Sequence, residues 1–275
     1  MTEVKKTYKN YVDGNYVRSE SGKTYTVQLK SQSYELPLTS KKDLRDAVTS
    51  SKKGFESWNK LSQYNRTQII YRLSEMIEGN RDSYVEILLD HGLTKAAASK
   101  DIDNAINTIV WYAGLADKWE QLTGNLNPVV GEYFNISHQE PIGVVFSLNS
   151  TEVSIDKLVR SFLPALSIGC SVINLSEKNA VLGLKLAEDI NNSDLPPGAL
   201  NLLSGDFSKV LDDASRHVEV NTLVSYKKLN KENLKIINEN ASTSVKRIFH
   251  LPSEEGLSSI LPFIETKTVW HPKGR

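Results

Sequence analysis

One thiol, five imidazoles and a few clusters of carboxylates and lysines are the groups in this chain that could carry chemistry. Cys170 is the single cysteine, which excludes an internal disulfide framework and any site built from several thiolates. It follows Gly169 at the start of an apolar run, where a cysteine reads as a small packing residue rather than as a nucleophile. His91, His138, His217, His250 and His271 have no ligand-type spacing to carboxylates or to the thiol, so no metal is expected. Asp212, Asp213 and His217 could share one helical turn, but spacing alone does not activate a nucleophile, and a solvated face is the plainer reading. Lys227 and Lys228 follow a short apolar run and could attract a phosphate as point charges; a solvated lysine-rich loop is the simpler expectation.

The segment that must position these groups runs from Gln139 to Glu177. Ile142–Leu148 and Ser171–Leu175 are apolar runs of buried-strand length, and between them Leu158, Phe162 and Leu163 mark the inward face of a helix. Such a strand–helix–strand unit builds a parallel sheet. Upstream, Asp13-Gly14 between Tyr/Val-rich runs signals a tight hairpin, with Gly22 marking a second turn. A helix is expected over Lys42–Lys53, followed by Phe55 and Trp58 as packing aromatics. Three more follow: one carrying Ile69, Ile70, Leu73, Met76 and Ile77, one holding Tyr84–Leu89, and one placing Ile102, Ala105, Ile106, Ile109, Val110 and Ala113 on a single face. These three form a helical layer over the sheet.

Around Gly131, Asn125–Gln139 alternates as a β-hairpin, and Phe263–Trp270 alternates as a further strand. Between them lie a turn at Pro196-Pro197-Gly198, a strand over Asn221–Ser225 and a short helix over Leu234–Asn238. The chain has 275 residues, 39% hydrophobic and 24% charged, which suits one large domain or two small ones. Its 33 basic residues balance 33 acidic ones, so no global field favours nucleic acid or an anionic membrane. No apolar run reaches spanning length, the N-terminus lacks the apolar segment of a secretory signal, and a cytoplasmic location is expected.

Glu140-Pro141-Ile142-Gly143-Val144-Val145, the run Leu163–Ile173 and the run Leu195–Gly205 resemble, in order and spacing, the cofactor-binding half of the aldehyde dehydrogenases. Arg66 to Leu73, Asp90-His91-Gly92 and Trp111-Tyr112-Ala113-Gly114 are similar to that family's N-terminal helices. The resemblance covers 8–225, and 263–270 resembles the family's terminal strand. It implies an α/β fold: a doubly wound Rossmann-like sheet with an N-terminal helical layer and a protruding antiparallel oligomerisation hairpin. The implied divisions are 1–122 for the N-terminal hairpin and helical layer, 123–140 for the oligomerisation hairpin, 141–256 for the Rossmann-like unit and 257–275 for the C-terminal oligomerisation strand. The alternative for 125–139 is a hairpin folded on its own domain.

The chemistry of that family needs a thiolate nucleophile, oxyanion donors, a general base and a bound nicotinamide. Cys170 lies outside the family's Gly-Gln-x-Cys setting. Glu152 falls where the oxyanion asparagine belongs, and Asn149 could replace it only through a local shift. Asn174-Leu175-Ser176-Glu177 stands for a Lys-Pro-Ser-Glu segment and loses the lysine, leaving Ser176 and Glu177 as a weak nucleotide signal. Ser225 to Glu232 contains no glycine where the family brings backbone donors to a pyrophosphate. His250-Leu251-Pro252-Ser253 replaces the general-base segment, and Glu254 and Glu255 read as exposed loop acids. Beyond Gly256 nothing resembles the catalytic domain.

The expectation from these departures is a catalytically inactive pseudoenzyme with no catalytic residue, no bound cofactor and no metal. It would act as a structural or regulatory subunit, associating with itself or with a complete aldehyde dehydrogenase through Tyr133, Phe134, Asn135, Ile136, Thr266, Lys267, Thr268 and Val269. No nucleic-acid or membrane partner is expected. The alternatives are an NAD(P)-binding sensor without turnover and a residual oxidoreductase.

Overall fold

Two successive left-handed residues, Asp13 (φ 54°) and Gly14 (φ 72°), close the first hairpin of the chain, the backbone that a tight two-residue turn demands. It joins β1 (Asn10–Val12) to β2 (Asn15–Val17). The computed structural model describes residues 7–252 and 255–274; Ser253, read above within the segment that replaces the general base, and Glu254, read as an exposed loop acid, lie outside them. A second hairpin pairs β3 (Thr24–Gln28) with β4 (Ser33–Pro37) as a separate two-stranded sheet; the turn signalled at Gly22 precedes it, and the hairpin itself was not foreseen.

Helix α1 (Lys41–Lys60) starts at a reciprocal cap. The Ser40 hydroxyl accepts from the Asp43 amide at 3.2 Å while the Asp43 carboxylate accepts from the Ser40 amide at 2.7 Å. The helix runs past the expected end at Lys53 because Phe55 and Trp58 continue its inner face; the Trp58 indole, fully buried, donates to the Leu166 carbonyl at 2.8 Å. Helices α2 (Gln63–Gly79), α3 (Arg81–Asp90) and α4 (Lys95–Leu115) form the expected helical layer. On α4 the buried stripe is Ala98, Ile102, Ala105, Ile109 and Tyr112; Val110 lies off it and is 40% exposed, a correction to the single apolar face expected.

A short α5 (Trp119–Thr123) leads to β5 (Asn125–Asn127) and β6 (Tyr133–Pro141), then β7 (Val144–Leu148). The single helix expected after β7 is two, α6 (Ile155–Arg160) and α7 (Leu163–Ser167). Pro164 supplies no backbone N–H and sits in the first turn of α7, so a continuous helix through Ser161 and Phe162 would lack a bond there. Next come β8 (Ser171–Ser176), α8 (Ala180–Asn191), β9 (Leu200–Ser204), α9 (Leu211–Arg216), β10 (Thr222–Ser225), α10 (Lys231–Ser242) and β11 (Arg247–His250). The 12 residues of α10 exceed the short helix expected, because Asn230 caps it by accepting from the Asn233 amide at 2.8 Å. The last strand is β12 (Ile264–Pro272).

The main sheet has the order β11-β10-β7-β8-β9-β1-β2. Its first five strands are parallel and β1 adds antiparallel to β9. One apolar cluster lies between the sheet and the α2–α4 layer, including Leu158, Phe162 and Leu182; a second, with Leu44, Phe146, Phe207 and Ile237, joins the sheet to α1, α9 and α10. Helices thus cover both faces, and the fold is α/β and doubly wound. Separately, β12-β6-β5 form an antiparallel sheet, with Ile264 opposite Pro141 and Pro272 opposite Tyr133. Among the described residues no helix is long and apolar enough to cross a membrane.

A loop packs closely beneath α1. A Cβ on Gly54 would meet the Gly198 carbonyl carbon at 2.1 Å, and one on Gly198, itself at φ +79°, would meet the Ser50 carbonyl oxygen at 2.4 Å. Both neighbours are backbone, so neither yields cheaply. Gly54→Ala is therefore expected to lower stability by about 1–3 kcal/mol and the Tm by several degrees; an unchanged urea midpoint would contradict this packing.

Candidate functional site

The strand order reverses at β7, with β8 and β9 on one side and β10 and β11 on the other. In open parallel sheets the crevice outside the carboxyl ends at such a reversal is where ligands bind. The loops meeting there carry Asn149 to Glu152 after β7, Glu177 and Lys178 after β8, Gly205 to Lys209 after β9, and Tyr226 to Leu229 after β10.

Under the crevice runs a chain of buried amides and hydroxyls. Ser147 Oγ donates to the Ser161 carbonyl at 2.6 Å, Asn174 Nδ2 donates to Ser161 Oγ at 2.8 Å, Ser176 Oγ donates to Asn174 Oδ1 at 3.2 Å, and Asn149 Nδ2 donates to Ser176 Oγ at 3.0 Å. Asn149, whose Oδ1 also accepts from the Ser150 amide at 2.6 Å, is thereby turned inward. Asn174 and Ser176 are likewise buried and committed to this chain. Glu152 is exposed, while its carbonyl accepts from the buried Asn179 Nδ2 at 2.7 Å; Asn179 Oδ1 accepts from the Ser154 amide at 3.0 Å, locking the loop before α6.

Two of the positions singled out in the sequence are brought together above this floor. Glu177 accepts from the Phe207 amide at 2.9 Å through Oε1, and its Oε2 lies 2.5 Å from Lys227 Nζ. The Lys227 ammonium also sits 5.0 Å over the Phe207 ring, a cation–π contact. The pair spans the end of β7 from the β10 side to the β8 side. Lys228 is exposed beside it.

Against Glu177 opens a cavity of about 680 Å³ between the ends of β8 and β9 and the β3 hairpin. Tyr25, Val27, Leu29 and Leu38 form one wall; His91, Lys178, Asp206 and Lys209 add polar groups. The Tyr25 hydroxyl and the His91 Nε2 are buried without a hydrogen-bond partner among the described residues. Burial pushes the Tyr25 hydroxyl up to about 12 and lowers the His91 imidazole, so the first is a neutral donor and the second uncharged near pH 7. Sequence reasoning missed this wall: His91 had been read within a structural run, and nothing in the sequence aligns Tyr25 with Glu177.

The remaining candidates lie elsewhere. Cys170 precedes β8, at the end of the sheet opposite the crevice; it is fully buried, its thiol 3.5 Å from the Phe263 carbonyl, and burial pushes it up to about 12. Asp212 is bonded to Asn240 and Arg216 at 3.0 Å each, while His217 Nδ1 accepts from the Glu219 amide, so they form no pair. Among the described residues no three histidine, cysteine or carboxylate groups are gathered to hold a metal ion. On the small sheet Tyr133, Phe134, Ile136 and Val269 are 43–48% exposed. Thr266, Lys267 and Thr268 are bonded across to Gln139, Glu140 and Ser137. Asn135 is buried, accepting from Asn127 Nδ2 at 2.6 Å.

Residues 16–248 match the family model described as the aldehyde dehydrogenase family. The chain belongs to this family. It is 28% identical over 253 residues to the putative aldehyde dehydrogenase DhaS of Bacillus subtilis, covering 88% of this chain and 50% of that protein. It is 27% identical over 221 residues to the D-glyceraldehyde dehydrogenase (NADP(+)) of Thermoplasma acidophilum, covering 78% and 44%. The fold superposes on a betaine aldehyde dehydrogenase of Staphylococcus aureus in complex with NAD+ with a TM-score of 0.79 at 24% identity, over 90% of this chain and 50% of that one. The chain spans about half the length of the curated relatives it matches.

These matches overturn two expectations. The family is one of oxidoreductases and the relatives matched are named dehydrogenases, so the reading of the chain as a non-enzyme does not stand. A structure sharing the fold over nine-tenths of this chain is an NAD+ complex, so the expectation of no cofactor does not stand either. Glu177 and Lys227 meet at the crevice, and a cavity adjoins Glu177.

The burial of Cys170 has a direct readout. With its thiol raised to about 12, the thiolate fraction at pH 8 is roughly one in ten thousand. A disulfide reagent is expected to leave the folded chain unlabelled and to titrate one thiol in guanidinium; rapid labelling at pH 8 without denaturant would contradict this placement.

Proposed function

We propose that this chain is a nucleotide-binding aldehyde dehydrogenase subunit that takes NAD(P) across the carboxyl ends of β7, β8 and β10. The observation that carries the reading is the cavity of about 680 Å³ opening directly beside Glu177, next to the reversal of strand order. The adenosine half fits the cavity, with the Tyr25 wall as its apolar side and Glu177, Lys178 and Lys209 as polar groups at its rim. Lys227, held by Glu177, offers a point charge to the pyrophosphate in place of the glycine-rich backbone. When bound, NAD(P) supplies a hydride acceptor for the oxidation of an aldehyde. This chain's residues bind and orient it.

The reading extends to assembly. The β12-β6-β5 sheet exposes Tyr133, Phe134, Ile136, Val269 and Trp270 and leaves β12 as an open edge, a combination suited to pairing with a second chain. That chain is a further copy or a complete aldehyde dehydrogenase subunit, and because Cys170, the single cysteine of this sequence, is buried away from the crevice, only the latter supplies a thiol nucleophile.

Calorimetric titration with NADH and NADPH tests the nucleotide site. Binding of at least one with a Kd below about 1 mM is expected, weakened about tenfold by Lys227→Glu through charge reversal; no heat with either, or an unaffected Kd in the variant, overturns the site. Light scattering of the chain, alone and with a complete aldehyde dehydrogenase, is expected to show an assembly that Val269→Lys weakens; a strict monomer in both settings overturns that part.

A further inference from the structure

One carboxylate of this chain is held as a ligand anion would be. Glu177, just after β8, accepts from the Phe207 amide at 2.9 Å through Oε1 and from the Lys227 ammonium at 2.5 Å through Oε2. The two donors come from two other loops, after β9 and after β10, and converge on one anion. A backbone N–H and an ammonium that meet on the two oxygens of a carboxylate suit two oxygens of a phosphoryl group equally well. Neither donor depends on Glu177 for its place. The Phe207 side chain is buried, and Asp206 fixes the same loop by accepting from the Ser208 amide at 2.9 Å and hydroxyl at 2.7 Å. Lys227 lies 5.0 Å over the Phe207 ring with its side chain 14% exposed, so packing and the cation–π contact keep the ammonium in position. Glu177 is the looser member: its side chain is 31% exposed, and these two bonds are the only ones its carboxylate makes among the described residues.

The pair also lies across the crevice. β8 and β10 flank β7, so their ends stand about 10 Å apart at the usual strand spacing, and the Glu177–Lys227 bridge closes that interval over the end of β7.

We infer that Glu177 is an internal plug: it fills an anion site made by the Phe207 amide and the Lys227 ammonium, and the pyrophosphate of the nucleotide binds by displacing it toward solvent. The inference rests on the nucleotide reading above and adds how the empty site is closed. Binding exchanges one anion for another on Lys227, which stays on the Phe207 ring, and the affinity is lowered by the cost of releasing the carboxylate. Glu177→Gln keeps the shape of the side chain and its acceptor for the Phe207 amide but loses the ion pair.

Calorimetric titration of the full chain and of Glu177→Gln with inorganic pyrophosphate tests the plug, the fold of the variant being checked by circular dichroism. The variant is expected to bind about fivefold more tightly. In the unsubstituted chain the carbon-13 resonance of the Glu177 carboxyl is expected to move on saturation with pyrophosphate, as it leaves its two donors. Equal or weaker binding by the variant overturns the plug. Tighter binding with an unmoved carboxyl resonance also overturns it, because a carboxylate that merely repels the ligand stays on its donors. Pyrophosphate bound by neither form overturns the anion site, and leaves the nucleotide reading standing if NADH or NADPH still binds; binding of none of the three overturns both.

Discussion

A chain of buried hydrogen bonds from Ser147 through Ser161, Asn174 and Ser176 to Asn149 holds the centre of this molecule in register. Each of these polar groups is out of water, and an unpaired one would cost about 1–3 kcal/mol, so the neighbours constrain one another's rotamers. The chain ties the carboxyl ends of β7 and β8 to the break between α6 and α7. It thereby fixes where the two strands stop and where Glu177 begins, and Glu177 in turn fixes Lys227. The polar floor and the charged bridge above it are successive layers of one arrangement.

The same floor explains why residues that looked like losses are structural. Asn174 occupies a position read for a nucleotide lysine, yet its amide is consumed inside the sheet. Asn149, the one amide near the expected oxyanion position, is also turned inward. What remains available at the crevice is side-chain charge: the exposed Lys178 and Lys209 beside the Glu177–Lys227 pair. A nucleotide held by point charges depends more on ionic strength than one cradled by amides at a helix N-terminus. The Gly54–Gly198 contact serves the fold at a distance, since it seats α1 against the turn that feeds β9, and β9 ends at the cavity.

Much of the architecture was legible in the sequence for identifiable reasons. Continuous apolar runs over Ile142–Leu148 and Ser171–Leu175 have no reading other than buried parallel strands once a helical run separates them. Asp13-Gly14 names its own turn, and the alternation in Phe263–Trp270 fixed a strand whose partner, β6, lies 131 residues from Thr268 at Ser137. Less legible were features that depend on pairs distant in sequence. Glu177 with Lys227, and Tyr25 and His91 with Glu177, carry no local pattern. The two-stranded β3–β4 sheet was missed because its burial alternates weakly, and the break between α6 and α7 because helical periodicity continues across Pro164.

Amide hydrogen exchange of the full chain, with and without saturating NADPH, tests most directly whether the strand-end crevice is the nucleotide site. The account predicts slowed exchange confined to the loops at 149–153, 177–179, 205–209 and 226–230, where the strands end and the cavity opens. Unchanged exchange in all four loops, or protection restricted to the β12-β6-β5 sheet, would contradict it.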